Sequence, residues 1–328
     1  ILKIVRADTN DFSIWTHDSY GDQALGVAKG RVQKYQDLPA KAWHGFTIMV
    51  ENDPESRRDN FYLTYTESGY KTGIWTETCG YGLQNNFDKS TMPHKLVRNA
   101  DGTFTFDQCD WLPRTVGDED TCATPSFVNN TISDIFYFRN RLGFLSDENI
   151  VYSVAGDYYN FWPETAMQTL DTDPIDTTAG SSKVSILRHA VPLMERLLLF
   201  ADQVQFSQSS NAVLSPNDIQ IDQTTTYEYS PLAKPVAAGS SIFFTTKRGT
   251  YTGVMEYLID PDTKVNQAID MTSHVPEYIP TNVFHLAAGV NINVLLALTL
   301  NERNAVYVYN YWWEADEKIQ SAWHKWTF

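Results

Sequence analysis

Three carboxylate clusters are the side chains of this sequence best placed to do chemistry: Asp118-Glu119-Asp120, Asp171-Thr172-Asp173 and Asp260-Pro261-Asp262. Carboxylates grouped in this way can hold calcium or serve as an acid/base pair. None continues into the twelve-residue loop of an EF-hand, and catalytic carboxylates pair across space rather than along the chain. Asp and Glu beside Gly, Thr and Pro also form solvated turns. Turn, metal site and catalysis all stand as readings, and the turn needs the fewest assumptions.

Other chemistry finds less support. His17, His44, His94, His189, His274, His285 and His324 lie far apart, with no HxH or HxxxH pair to start a compact zinc site. Neither GxGxxG nor GxxxxGK[ST] occurs, so no phosphate loop or dinucleotide fingerprint is present. Cys79, Cys109 and Cys122 lack CxxC spacing and read as reduced thiols, although a Cys109–Cys122 bridge is geometrically open. No residue is assigned a catalytic, cofactor-binding or metal-binding role, and no cofactor is expected.

Nine Trp, eighteen Tyr and seventeen Phe either pack across strands and subunit contacts or form a platform for sugar rings. Phe136 to Phe138 and Tyr309 to Trp313 are the densest examples. The net charge is −15, from 40 acidic and 25 basic residues. That balance argues against a tight DNA binder, which concentrates Lys and Arg on one face. It is compatible with a conduit that must not hold DNA, and also with plain solubility. No apolar run approaches the ~20 residues of a membrane span, and no signal peptide is visible.

Short apolar runs bounded by turn residues predict an all-β chain with little helix. Ile135 to Phe138, Leu142 to Leu145 and Ile150 to Val154 form a meander, with turns at Asn140-Arg141 and Ser146 to Asn149. Later meanders are expected at 184–208, 235–258 and 283–326, their starts spaced by about fifty residues, near the repeat of propeller blades. Residues 193–200 also suit a short helix behind Pro192, but the alternation at Val204 to Ser207 favours a strand. Residues 1–116 read as a small, mainly β unit, and 117–328 as propeller-like blades, an incomplete ring. In the first part, Asn99 to Gly102 marks a hairpin and Asp53 to Asp59 a charged loop or short helix. Loops Asp18 to Gly30 and Ser207 to Thr226 are the candidate moving parts.

The run Arg139 to Ile150, RNRLGFLSDENI, followed by Gly156-Asp157-Tyr158-Tyr159-Asn160-Phe161, resembles the tail tubular protein B family, the nozzle proteins of short-tailed T7-like bacteriophages. Further matching stretches are Ile74 to Thr78, Gly117 to Thr121, Ile269 to Pro280 and Gln320 to Trp326. The resemblance runs in order from about Phe61 to Phe328 and is weak before it. It implies a structural virion protein of the tail, not an enzyme: a subunit of a homohexameric nozzle ring that retains and then conducts double-stranded DNA during genome ejection. Implied partners are copies of itself, the adjacent adaptor or gatekeeper tail protein and the tail fibres, with assembly in the host bacterial cytoplasm. Family members are longer, so the chain is expected to be a fragment. The alternative reading is a tail-associated polysaccharide-binding protein or glycoside hydrolase.

A β-dominated chain has a measurable signature. The far-ultraviolet circular dichroism spectrum should show a single β-type minimum, and strong helical double minima would contradict the reading.

Overall fold

The computed structural model describes residues 2–6, 12–16, 31–53, 56–69, 72–181, 185–210, 213–259, 266–314 and 317–328. Among these there is no α-helix, only 3-10 turns at Tyr35–Asp37 and Val290–Ile292. Contacts gather into two units. The first comprises Ile1–Asp88, Pro113–Thr124 and Trp162–Thr169, the second Lys89–Leu112, Pro125–Phe161 and Leu170–Phe328.

In the first unit, β1 (Leu2–Arg6) pairs antiparallel with β2 (Phe12–Thr16). A four-stranded sheet takes β3 (Arg31–Val32), β4 (Thr47–Asp53), β5 (Ser56–Gly69) and β6 (Thr72–Thr78) in order, with β3 parallel to β4. Ile48 and Val50 alternate inward on β4 and meet Phe61 and Leu63 of β5 in one buried cluster, as period-two side chains on one sheet face must. The expected loop or helix at Asp53 to Asp59 is instead a strand connection: Asp53 is paired with Ser56, and β5 continues from there. Pro54 and Glu55 lie outside the described residues.

The second unit begins with a hairpin, β7 (His94–Arg98) and β8 (Phe104–Gln108), turning through Asn99 to Gly102 as expected. Gly102 takes φ 87°, a conformation that favours glycine. Four four-stranded meanders follow. They are β9 (Ile132–Phe138), β10 (Arg141–Ser146), β11 (Asn149–Tyr152) and β12 (Ile175–Thr178); then β13 (Leu187–Leu193), β14 (Arg196–Ala201), β15 (Gln205–Ser209) and β16 (Gln220–Thr225). The third holds β17 (Val236–Ala238), β18 (Ser241–Arg248), β19 (Tyr251–Ile259) and β20 (Asn266–Asp270); the fourth, β21 (Val283–Gly289), β22 (Val294–Thr299), β23 (Ala305–Glu314) and β24 (Glu317–Thr327). Their first strands, β9, β13, β17 and β21, lie side by side in succession, and the arrangement is propeller-like.

Burial on both faces explains the sequence of these sheets. On β14, Leu197, Leu199 and Ala201 join the core shared with the preceding sheet, whereas Leu198 and Phe200 join the core shared with the next. On β18 the same division sends Ile242 and Phe244 one way and Phe243 the other. A strand covered on both faces reads as an unbroken apolar run rather than an alternation. Each such Leu, Ile or Phe side chain contributes about 1.5–3 kcal/mol by leaving water.

The strand reading of residues 193–200 holds over the helix, as a hairpin with Met194 at φ 53° in the turn between β13 and β14. Other expectations change. The span from Ser207 to Thr226 is not simply a loop, because it holds the end of β15 and all of β16. The fourth strands β12, β16 and β20 are additional to the expected ones. Asp18 to Gly30 lie outside the described residues. The first turn of the RNRLGF run falls one residue earlier than expected: Arg139 and Asn140 take φ 45° and 61°, and Arg141 opens β10.

Gly143 on β10 is paired with Phe136 on β9. A Cβ there would lie 2.2 Å from Phe136 Cζ, so the ring occupies the space that any other residue would fill. Gly143→Ala is expected to destabilise the protein by about 1–3 kcal/mol through overpacking. Adding Phe136→Leu should recover part of the loss, as measured by urea unfolding.

Candidate functional site

The most buried charge of the second unit is in the run that resembles the nozzle family. Arg141 is fully buried, because β10 is sandwiched within its sheet and the side chain points into the connections at its end. Nη1 donates to Ser153 O at 2.8 Å, Asp173 O at 2.7 Å and Thr172 O at 3.3 Å. Nη2 donates to Asp171 O at 2.7 Å and Leu214 O at 3.0 Å. One planar fork thus fastens the long β11–β12 connection to the β15–β16 connection of the next sheet. Burial lowers the Arg141 pKa, and Asp173 opposes that shift; the side chain remains a cation, since arginine titrates so high.

A second knot ties three sheets at their first strands. Asp134 of β9 accepts from Ala190 N of β13 at 3.0 Å and pairs with Lys234, just ahead of β17, at 2.6 Å. His189 Nδ1 lies 2.9 Å from the Tyr229 hydroxyl, which itself donates to Ala233 O at 2.8 Å. The hydroxyl proton being used, the imidazole must donate Nδ1–H to the tyrosine oxygen. Burial pushes the His189 pKa down; Asp134 raises it, while Lys234 and Arg188 lower it. Burial likewise drives the Tyr229 hydroxyl far above its ordinary value.

The first carboxylate cluster is a turn whose side chains accept hydrogen bonds from its own chain. In the first unit, Asp118 Oδ1 accepts from Asp120 N at 3.0 Å and Thr121 N at 3.1 Å. Glu119 accepts from Arg114 at 2.6 Å and from Thr124 N at 3.0 Å. Burial would raise the Glu119 pKa, but Arg114 and Thr124 outweigh it and hold it low. Arg114, its side chain inaccessible to solvent, also lies 4.5 Å from the Trp162 ring centroid, a cation–π contact. Asp171, Thr172 and Asp173 matter through their carbonyls, which hold Arg141. Asp260 to Asp262 lie outside the described residues.

Among the described residues, no three or more His, Cys, Asp or Glu side chains gather in a metal-binding group. Cys79, Cys109 and Cys122 form no disulfide, so the open Cys109–Cys122 bridge is not made. Phe136 and Phe138 point into the core and Tyr137 outward; Tyr309 and Tyr311 are buried, whereas Trp312 and Trp313 are exposed. Sequence reasoning missed Arg141, which reads as a turn residue. The usable signal was a charged residue inside an otherwise aromatic and aliphatic meander.

Both knots yield predictions. Arg141→Lys replaces a five-donor fork by a point cation and orphans several carbonyls, each costing about 1–3 kcal/mol. The loss in urea unfolding should be at least about 3 kcal/mol. For His189, the folded value lies below the ordinary 6.5, so protonation favours the unfolded chain. Stability should be full above that value and fall as pH drops through the folded one, and His189→Gln should flatten this part of a melting-temperature profile.

Comparison with known proteins places these features. The whole chain, residues 1–328, matches the family model described as bacteriophage nozzle protein. It is 35% identical over 317 residues to tail tubular protein gp12 of Escherichia phage T7, covering 96% of this chain and 40% of that protein. Among solved structures, it resembles a protein from Lactobacillus plantarum at 10% identity, TM-score 0.43, covering 81% of this chain and 79% of the other. It also resembles a putative 6-phosphogluconolactonase from Bacteroides uniformis at 12% identity, TM-score 0.40, covering 83% and 80%. Likeness that distant carries no argument for catalysis.

Proposed function

Because the chain belongs to the bacteriophage nozzle protein family, we propose that it is a structural subunit of the phage tail nozzle, part of a homohexameric ring that retains packaged DNA and conducts it during ejection. The observation that carries this reading is the match along the entire chain, joined to 35% identity with a tail tubular protein. The chain spans 40% of that relative's length, so hexamer formation, stacking on an adaptor or gatekeeper protein, contact with tail fibres and assembly in the host cytoplasm all belong to the proposal. So does the division of labour between a small β-rich part, 1–116, and the blades, 117–328.

The chemistry of the described residues supports a conduit. Some of the cations are engaged within the protein: Arg31, Lys89, Arg114, Arg188, Lys234, Arg248, Lys318 and Lys325 sit in ion pairs and Arg141 is buried, whereas Lys34, Lys41, Arg98, Arg196 and Lys247 are exposed. The net charge of −15 disfavours approach of the DNA polyanion, although each phosphate contact that did form would tighten binding at low salt. At physiological salt the field of exposed carboxylates reaches roughly 8 Å, enough to repel a duplex in a narrow bore.

Labelled antibody against this chain should mark the tail tip of purified particles, and images of the particle should show a six-fold ring with a central hole. Absence of the protein from particles would overturn the reading. So would release of reducing sugar from polysaccharide by the purified protein, lost on Asp173→Asn or Asp120→Asn. Duplex DNA should bind weakly; tight binding that collapses with added salt would defeat the acidic conduit.

A further inference from the structure

The last sheet has one face that packs and one that does not. Tyr307, Tyr309 and Tyr311 of β23 join the core shared with the preceding sheet. On β24 the same side carries Trp323, whose indole donates to Met271 O at 2.9 Å, and Lys325, which pairs with Glu302. Side chains alternate along a strand, so Val308, Asn310 and Trp312 turn to the other face. Opposite them lie His324, Ala322 and Gln320, with Trp326 beyond. Trp312, Gln320, Ala322, His324 and Trp326 are all exposed.

The make-up of this face selects a kind of ligand. Val308 is already buried, so what remains to contact is two indoles, Trp312 at 53% and Trp326 at 48% exposure, with an amide, a methyl and an imidazole between them. The His324 ring lies 5.7 Å from the Trp326 ring. None of these positions holds Lys, Arg, Asp or Glu; Lys318 and Lys325 are drawn to the packed side by Glu256 and Glu302. Faces that cover one another elsewhere are built differently, from Leu198 and Phe200 on β14 and from Ile242 and Phe244 on β18. Nucleic acid also stacks on aromatic rings, but it needs cations along its backbone. A sugar ring needs none: its C–H face packs on the apolar ring surface, and its hydroxyls exchange hydrogen bonds with amide and imidazole.

We propose that this face binds an extended, uncharged polysaccharide, with sugar rings on Trp312 and Trp326 and hydroxyls on Gln320 and His324. Gln320, opposite Trp312, and Trp326 are six residues apart on β24, roughly 20 Å of strand, which several sugar rings in a row span. Ala322, between them, raises nothing above the sheet to block that path. The chain is held and not cut, because hydrolysis needs two carboxylates flanking the bond and these positions supply none. The site is additional to the nozzle reading and does not rest on it.

Titration calorimetry of the whole chain with cellohexaose, xylohexaose and N-acetylchitohexaose tests this. At least one should bind and shift the tryptophan fluorescence, and added salt should leave the affinity unchanged, since no charge is there to be screened. Trp312→Ala and Trp326→Ala should each weaken binding about tenfold through loss of one stacked ring. Ala322→Arg should block the path while leaving both rings in place. Trp43→Ala, at an exposed indole of the first unit, should change nothing, and circular dichroism checks the fold of each variant. No binding of any of the three sugars overturns the proposal, as does binding that survives all of Trp312→Ala, Trp326→Ala and Ala322→Arg. Self-association of the wild type that these variants abolish, with no sugar bound, assigns the face to a second copy instead. Preference for hexagalacturonate, lost on adding salt, would move the site to cations elsewhere and overturn it too.

Discussion

The structure of the second unit depends on how buried backbone carbonyls in its long connections are satisfied. Strands satisfy their own amides in the ladder, but the segments around Asp171 to Asp173 and Leu214 turn inward without a ladder to join. A carbonyl sealed from water without a donor costs far more than a typical hydrogen bond contributes. Arg141 supplies five donations from one side chain. It does so from the first position of β10, where the strand's own pairing holds the Cα fixed. The cation is tolerated in the interior because oriented carbonyl dipoles surround it, and the two connections are held because no other group there can replace them.

Around that fastening, the sheets depend on one another in a regular way. Each is too thin to bury its own apolar side chains, and each offers one set to the sheet before and one to the sheet after, as β14 and β18 do. Polar links reinforce the apolar ones. Lys318 of β24 pairs with the buried Glu256 of β19, and the Lys318 ammonium lies 4.8 Å from the Trp313 ring centroid and 5.6 Å from that of Tyr311. The same aromatic abundance that suggests a sugar platform is thus largely spent on packing, although Trp312 and Trp313 retain exposed faces.

The three inner strands of each sheet were legible in the sequence because they are covered on both faces and read as apolar runs. The fourth strands were not, except β24, whose Trp323 and Trp326 gave it away. Gln220-Ile221-Asp222-Gln223 lies at a sheet edge with mostly solvent-facing side chains, so its strand state comes from pairing with β15 and leaves little trace in composition. The Asp171 to Asp173 segment reads correctly as a turn, but its hold on Arg141 was not legible for a different reason. Side-chain identity drew attention to carboxylates, whereas the hydrogen bonds that hold Arg141 come from the main chain, which every residue type shares. The family resemblance, by contrast, was carried by residues such as Arg141 and Gly143 whose surroundings admit little else.

The Asp134–Lys234 pair has a consequence for cooperativity. In an array where each element touches only its neighbours, stability is a sum of local terms and the ends can fray one repeat at a time. Asp134 belongs to the first sheet and Lys234 to the approach of the third, with Ala190 of the second held by the same carboxylate. The middle sheet is thus tied through Ala190 to a carboxylate that also reaches past it to the third sheet. The pair, partly exposed on its lysine side and worth about 1 kcal/mol or less, adds a coupling between first and third sheets that nearest-neighbour packing alone lacks.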